Sequence, residues 1–122
     1  MKEYDVIVIG AGTGLSIAFK AQASKLKVAL IDKGNVGGTC VNVGCVPSKI
    51  LIYHADRVTD IVEAKKLGIE AKVKRIHFRA IMDRMKATIS ESRTWMEKEI
   101  ANSKGLDFYS EEARFVDAYI LK

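Results

Sequence analysis

The chain has 122 residues, enough for one domain with a hydrophobic core. Its 48% hydrophobic and 29% charged residues are typical of a globular protein. The net charge of +5 comes from basic residues that are spread out rather than interleaved with aromatics, so nucleic-acid binding is not expected. No apolar stretch is long enough to span a membrane, and the first residues do not resemble a signal peptide, so a cytoplasmic location is expected.

The first elements predict one β-α-β unit. Residues 4–9 form an apolar run without alternation, which is typical of a strand buried on both faces of a parallel sheet. A glycine-rich turn over residues 10–14 leads into a helical pattern over residues 15–26. Residues 27–31 then predict a second buried strand, and the order of these elements predicts an α/β fold.

The glycine-rich turn has the pattern of a dinucleotide-binding site. Gly10 permits the tight turn after the strand, and Gly12 lets the backbone approach a pyrophosphate at the helix N-terminus. Asp32 ends the second strand, where a carboxylate binds ribose hydroxyls. Leu15 replaces the third glycine of the G-x-G-x-x-G pattern, which weakens the motif and predicts a different helix–strand packing. A tight turn without a ligand is the alternative, and the pattern does not distinguish NAD from FAD.

The rest of the chain predicts a loop, two helices and further strands. Residues 34–44 are rich in glycine and predict a loop. Residues 46–67 predict a helix with Pro47 near its start and Gly68 at its end. Residues 75–104 carry apolar side chains at three- to four-residue steps, which predicts a long core helix that Gly105 stops. Strands are predicted at residues 106–109 and 113–121. Because the chain ends within an apparent strand, we expect it to be part of a longer protein.

Cys40 and Cys45 are the residues best suited to chemistry. On a regular helix their Cα atoms would lie about 8–9 Å apart, whereas a disulfide needs less than about 7 Å. A bridge therefore requires irregular backbone, which Gly44 would allow. Cys45 precedes a predicted helix whose N-terminus favours the thiolate form, and Lys49 follows one helical turn later on the same face.

Other interpretations of the cysteines remain open at this point. Two buried free thiols are common in protein cores. A metal site would need further ligands such as His54 or His77, whose spacing matches no zinc pattern. A structural disulfide is disfavoured in a reducing compartment. The spacing alone therefore does not separate a redox pair from these alternatives.

Three motifs together resemble those of the class I pyridine nucleotide–disulfide oxidoreductases. They are the GAGTG turn, Asp32-Lys33-Gly34 after the second strand, and GGTCVNVGCVPSK at residues 37–49. The resemblance covers the whole chain and implies a Rossmann-like FAD-binding domain with a parallel sheet, of which residues 1–122 would be the N-terminal part. The NAD(P) domain and the C-terminal dimerisation domain would be absent. The isolated chain is therefore expected to be inactive with NAD(P), and the full-length protein to be a homodimer.

The resemblance also implies roles for individual residues. Cys45 would lie against the flavin, Cys40 would be the interchange thiol that reacts with a dithiol or disulfide substrate, and Lys49 would lie near the flavin. No metal is expected. The residues implied to contact FAD are Gly10, Gly12, Gly14, Asp32, Lys33, Gly37, Gly38, Thr39, Lys49 and Ala113.

Ser48 narrows the expected substrate. Glutathione- and trypanothione-type enzymes usually have lysine at this position, whereas serine resembles the dihydrolipoyl dehydrogenase and mercuric reductase types. The expected function is that of a dihydrolipoyl dehydrogenase, which passes electrons between a dithiol, the Cys40–Cys45 disulfide, FAD and NAD(P). Mercuric reductase or another low-molecular-weight disulfide reductase is the first alternative. A non-catalytic nucleotide-binding module is the second.

Overall fold

The computed structural model describes residues 1–122 as a mixed α/β fold. A short 3₁₀ helix, Ala64–Leu67, follows the third α-helix. The α-helices and strands in chain order are β1 (Val6–Ile9), α1 (Gly14–Ala23), β2 (Val28–Ile31), α2 (Gly38–Asn42), α3 (Cys45–Glu63), α4 (Phe78–Asn102), β3 (Leu106–Tyr109), β4 (Phe115–Asp117) and β5 (Ile120–Leu121). None of the helices combines the length and the apolar composition that crossing a membrane requires.

Three parallel strands form the main sheet, in the order β1-β2-β3. Ile9, Ile31 and Tyr109 are register partners, so the carboxyl ends of all three strands lie at the same edge of the sheet. In such sheets, ligands bind beyond the carboxyl ends of the strands. The predicted β-α-β unit, the parallel sheet and the strand over residues 106–109 are thereby confirmed.

One face of the sheet carries the core. Val8, Leu30 and Leu106 alternate with residues of the other face, as a strand's two-residue period requires, and they are buried. Helices α1 and α4 cover this face, and their apolar side chains pack with those of the strands in one hydrophobic cluster. Its buried members are Val8, Ala11, Leu15, Ala18, Val28, Leu30, Val36, Ile100 and Leu106.

The other face of the sheet is largely open. Ile7 is 39% exposed and Ile9 is 53% exposed, although both lie in a parallel strand, where both faces are normally covered. A groove of about 910 Å³ runs along this face, with Ile7, Ala29 and Ile31 among its lining residues. The hairpin of β4 and β5 forms part of its wall. An uncovered apolar face of this kind promotes association.

Helix α1 ends earlier than predicted. The helical pattern was expected to continue to residue 26, but α1 stops at Ala23 because Lys25 adopts a left-handed conformation with φ of 63°. The N–H of Lys25 donates to the carbonyl of Gln22 (2.8 Å), and that of Leu26 donates to the carbonyl of Ala21 (3.2 Å). These two bonds form a Schellman C-cap, which usually has glycine where this chain has lysine.

The region predicted as a loop over residues 34–44 contains a short helix, so that prediction is wrong in part. Gly37 takes a left-handed conformation with φ of 98° and starts α2. Three carbonyls of this segment accept hydrogen bonds from the side-chain amide of Asn42, which explains why so short a helix is stable here. Helix α3 then has Pro47 in its first turn, and Gly68, with φ of 78°, caps the 3₁₀ helix that follows. Both of these features are as predicted.

The single strand predicted over residues 113–121 is wrong. The chain reverses after Asp117, and β4 pairs with β5 in an antiparallel hairpin that is separate from the main sheet. Its two-residue loop, residues 118–119, contains neither glycine nor asparagine, the usual signals of such a turn. Ala113 consequently lies in the segment before β4 rather than in a strand.

Candidate functional site

The glycine-rich turn connects the carboxyl end of β1 to the start of α1. Gly10 has a left-handed φ of 102°, and its N–H donates to the carbonyl of Ile31 at 2.7 Å. The amides of Gly12, Thr13 and Gly14 donate no backbone hydrogen bond, and no side chain caps the helix. Free amides at a helix N-terminus suit a phosphate group.

Gly14 explains how the turn tolerates the absent third glycine of the motif. A Cβ atom at Gly14 would lie 2.7 Å from Val8 Cγ1, so only glycine lets α1 begin this close to β1. Leu15, at the position of the expected glycine, is buried in the core. The close contact between helix and strand is therefore made one residue earlier than the motif predicts.

Asp32 holds the turn in place from the end of β2. Its Oδ2 accepts a hydrogen bond from the N–H of Ala11 at 2.6 Å, and its Oδ1 accepts one from the N–H of Gly34 at 2.7 Å. Each carboxylate oxygen keeps a second lone pair, so ribose hydroxyls can still bind there. The carbonyl of Ala11 in turn accepts the N–H of Gly37 at 2.8 Å.

A pocket of about 310 Å³, here called the strand-end pocket, lies beside the turn. It brings together four of the predicted cofactor residues, Gly10, Asp32, Lys33 and Ala113, although Ala113 is remote in sequence. Lys33 Nζ forms a salt bridge with Glu112 Oε1 at 2.7 Å. The full lining is Ile9, Gly10, Ile31, Asp32, Lys33, Glu111, Glu112 and Ala113.

Sequence reasoning missed Glu111 and Glu112. Their carboxylates add negative charge at the pocket, which disfavours a phosphate there and suits the neutral hydroxyls of an adenosine. The one available signal was the pair of acidic residues directly before Ala113.

The start of α2 packs directly against the glycine-rich turn. A Cβ atom at Gly38 would lie 2.9 Å from Gly12 Cα, and Gly38 has a left-handed φ of 58°. Gly37, Gly38 and Thr39, all predicted to line the cofactor, therefore lie at the end of α2 nearest the nucleotide turn. Cys40 follows directly on the same helix.

The backbone between the cysteines is irregular, as predicted. Helix α2 ends at Asn42, and α3 begins at Cys45 after Gly44, whose φ is −118° and ψ is −109°. A Cβ atom at Gly44 would lie 3.0 Å from the Thr39 carbonyl oxygen and 3.4 Å from Cys40 Cα. Gly44 thus lets the start of α3 pack against α2, with both cysteines present as free, exposed thiols.

The two thiols interact. The hydrogen bond with the Cys45 thiol raises the pKa of Cys40 above its ordinary value, and desolvation and the charge of Cys45 act in the same direction. The backbone of Cys45 and the ammonium of Lys49 oppose this rise. Cys45 therefore favours the protonated form of Cys40, while Lys49 favours its thiolate form.

We expect the alkylation of Cys40 by iodoacetamide to respond to Cys45. The midpoint of its pH–rate profile should move to lower pH in Cys45→Ser, because this change removes the thiol that raises the pKa of Cys40. Lys49→Met should move the midpoint to higher pH. Mass spectrometry of the alkylated peptide gives the rate, with Thr59→Ala as the control. An unchanged midpoint in Cys45→Ser would contradict contact between the thiols.

Other predicted or candidate residues have local roles. The Ser48 hydroxyl donates to the carbonyl of Gly44 at 2.8 Å and so supports the start of α3. His54 Nδ1 contacts the carbonyl of Ile50 at 2.7 Å. No group of three or more His, Cys, Asp or Glu side chains is arranged to hold a metal ion.

Comparison with known families identifies one match. The family model described as "Pyridine nucleotide-disulphide oxidoreductase" matches residues 4–117. Three similar curated proteins are the mycothione reductase of Mycobacterium tuberculosis, the mercuric reductase of Lysinibacillus sphaericus and the dihydrolipoyl dehydrogenase of Staphylococcus aureus. Each is 34% identical over 94% of this chain. The chain spans 25%, 21% and 25% of their respective lengths.

Solved structures give the same result for the fold. The HOCl-induced flavoprotein disulfide reductase from Escherichia coli matches with a TM-score of 0.74 and 25% identity, over 93% of this chain and 23% of that one. Its Cu(II) complex matches with a TM-score of 0.78 and 24% identity, over 97% of this chain and 24% of that one. The sheet and the helices around the site therefore have the arrangement found at one part of a longer reductase.

Proposed function

The chain belongs to the pyridine nucleotide-disulphide oxidoreductase family, and from this membership we propose that it is the FAD-binding, thiol-bearing part of a flavin-dependent dithiol/disulfide oxidoreductase. The observation that carries the proposal is the contact between the two motifs. Gly38, two residues before Cys40, packs directly against Gly12 of the nucleotide turn. A cofactor held by this turn is thereby brought to the thiols.

The residues at the turn fit FAD. The free amides of Gly12, Thr13 and Gly14 suit its pyrophosphate, and the absent Cβ atoms at Gly12 and Gly38 let α2 pack directly against this turn. Asp32 and the strand-end pocket suit the adenosine, with Lys33 and Ala113 beside it. When bound, the flavin supplies a carrier for two electrons.

Cys40 and Cys45 perform the exchange with substrate. Cys40, the interchange thiol, forms a mixed disulfide with one substrate sulfur as the Cys40–Cys45 bond breaks. The second substrate thiol then displaces Cys40, so the substrate becomes a disulfide and the pair becomes two thiols. Bound FAD would accept the two electrons gained by the pair, and NAD(P)⁺ would be the final acceptor. Lys49 stabilises the negative charge that the pair carries between these steps.

We assign the substrate to the dihydrolipoyl class. Ser48, where glutathione-type enzymes usually have lysine, is the residue that supports this assignment. Mercuric and mycothione reductases are the alternatives, because each has a member whose 34% identity to this chain equals that of the Staphylococcus aureus dihydrolipoyl dehydrogenase.

The substrate assignment predicts how the activities rank in a full-length enzyme, which is as long as the relatives and is expected to be a homodimer. NAD⁺-dependent oxidation of dihydrolipoamide should exceed NADPH-dependent reduction of Hg(II) or of mycothione disulfide by at least roughly 100-fold in kcat/KM, because specificity reflects binding of the transition state. Steady-state absorbance of NADH or NADPH measures all three activities. A preference for Hg(II) or mycothione disulfide would replace the dihydrolipoyl assignment and leave the family-level function intact.

Cofactor binding tests the proposed function. In a fluorescence titration, we expect FAD to bind the purified chain and ADP to compete with it, while FMN, which lacks the adenosine, binds at least roughly tenfold more weakly. Asp32→Ala should weaken FAD binding about tenfold, because a hydrogen bond to a charged group is worth about 1.5–3 kcal/mol.

Asp5→Ala is the matched control for this titration. Asp5 Oδ2 accepts the N–H of Lys27 at 2.7 Å, so it also links β1 to β2 through one backbone amide, but at the opposite end of the strands. Its replacement should leave the FAD affinity within about twofold. A chain that binds neither FAD nor ADP would contradict the proposed cofactor site.

A further inference from the structure

The peptide groups flanking Ala11 lie between Asp32 and the helix that carries Cys40. Ala11 is fully buried. Its N–H donates to Asp32 Oδ2 at 2.6 Å, and its carbonyl accepts the N–H of Gly37 at 2.8 Å. Gly37 is the residue immediately before α2. Asp32 and α2 are therefore joined by two hydrogen bonds through one buried residue, where water cannot replace a lost partner.

Side-chain hydrogen bonds from α2 join the residues on both sides of Gly37. The Asn42 side-chain amide donates to the carbonyls of Asn35, Val36 and Gly38 at 3.3, 3.1 and 2.9 Å. Val36 is 3% exposed, and Gly38 contacts Gly12 across the turn. A shift at Gly37 is thus transmitted to the whole of α2, including Cys40.

We propose that Asp32 is a positioning residue for the thiol pair as well as a ribose ligand: through Ala11 it sets the position of α2, and with it the ease of forming the Cys40–Cys45 disulfide. Disulfide formation depends steeply on the separation of the two residues. Helix α3, which carries Cys45, begins after the backbone break at Gly44 and also packs against α4, so a movement of α2 relative to α3 changes that separation. The ribose contact to Asp32 comes from the proposed function, whereas the connection to α2 does not depend on it.

Asp32→Asn tests the connection. Ala11 and Gly34 donate to different oxygens of Asp32, and asparagine has an NH₂ group in place of one of these oxygens, so one of the two N–H groups loses its acceptor. The equilibrium constant between the dithiol and the disulfide is measured in glutathione buffers without any flavin, by acid quenching, alkylation and mass spectrometry. We expect Asp32→Asn to lower the constant for disulfide formation about tenfold.

Two further variants separate positioning from general stability. Asp5→Asn also weakens one carboxylate–amide link between β1 and β2, but it should change the constant by less than about twofold. Asp32→Glu keeps both acceptor oxygens and should recover most of the wild-type constant. Thermal melting of each variant shows how far stability has changed. An equal shift in Asp5→Asn and Asp32→Asn, or no shift in either, overturns the proposal.

The wild-type chain provides a second test that needs no variant. If ribose contacts bias Asp32, saturating ADP should change the disulfide constant by about threefold or more, and disulfide formation should change the ADP affinity by the same factor. If ADP binds but the equilibrium constant for disulfide formation does not change, the coupling between the adenosine site and the thiol pair is overturned. ADP that fails to bind contradicts the proposed adenosine site instead, and the positioning role is then decided by the ligand-free comparison of Asp32→Asn with Asp5→Asn.

Discussion

Replacing Gly38 by alanine is expected to destabilise the chain by about 2–4 kcal/mol and to disrupt the thiol pair. The new Cβ atom would lie 2.9 Å from Gly12 Cα, a distance that only a backbone shift can relieve. The residue would also keep an unfavourable φ of 58°. Urea denaturation gives the change in free energy of unfolding, and the glutathione equilibrium gives the change in disulfide formation.

Gly68→Ala is the control for the close contact. Gly68 has a similar left-handed φ of 78°, but no atom lies within 4 Å of the position its Cβ would take. Only the backbone strain remains, which is worth about 1–2 kcal/mol, and the disulfide equilibrium should not change. If Gly38→Ala and Gly68→Ala lowered the free energy of unfolding equally and left the disulfide equilibrium unchanged, the contact between Gly12 and Gly38 would not position α2.

Loss of either cysteine is expected to abolish turnover, with different spectroscopic consequences. In a full-length enzyme, Cys40→Ser and Cys45→Ser should each reduce dithiol oxidation by at least roughly 1000-fold, because neither variant can form the disulfide. Steady-state assays with dithiol and NAD⁺ measure this loss.

The visible spectrum separates the two roles. After addition of FAD and a small excess of dithiol, the wild-type chain should gain a long-wavelength band from a thiolate in contact with the flavin. Cys40→Ser should keep this band and Cys45→Ser should lose it, since Cys45 is the thiol assigned to the flavin. The opposite pattern would reverse the two assignments. If the spectrum of the wild-type chain does not change when dithiol is added, neither thiol contacts the flavin.

Much of the site could be predicted because its signals are local. The apolar runs before Gly10 and Asp32 predict strands of a parallel sheet, and β1 and β2 form them, although β1 is buried on one face and not on both as expected. The spacing of Cys40 and Cys45 excludes a continuous helix if they are to bridge, and the structure has the required break at Gly44. Gly68 was predicted to end a helical segment because a C-cap residue commonly needs a left-handed conformation.

What could not be predicted depends on tertiary contacts or on backbone atoms. Lys25 caps α1 in a conformation that lysine rarely adopts, so no sequence signal marks the end of this helix. The short helix α2 depends on the three hydrogen bonds of Asn42. The contacts of Ala11 are made by its backbone N–H and C=O, which are the same in every residue except proline. Glu112 meets Lys33 across 79 positions of sequence, a pairing that local patterns do not specify.

The composition of the strand-end pocket has a consequence for synthesis of the protein. The nucleotide turn, Asp32 and both cysteines leave the ribosome early, whereas Ala113 and the acidic residues before it emerge near the end of this chain. Parallel pairing of β2 with β3 also waits for the later segment, so the early part cannot reach its final register alone. The nascent chain thus exposes both thiols before the strand-end pocket is complete, and during that interval no bound adenosine can influence the pair.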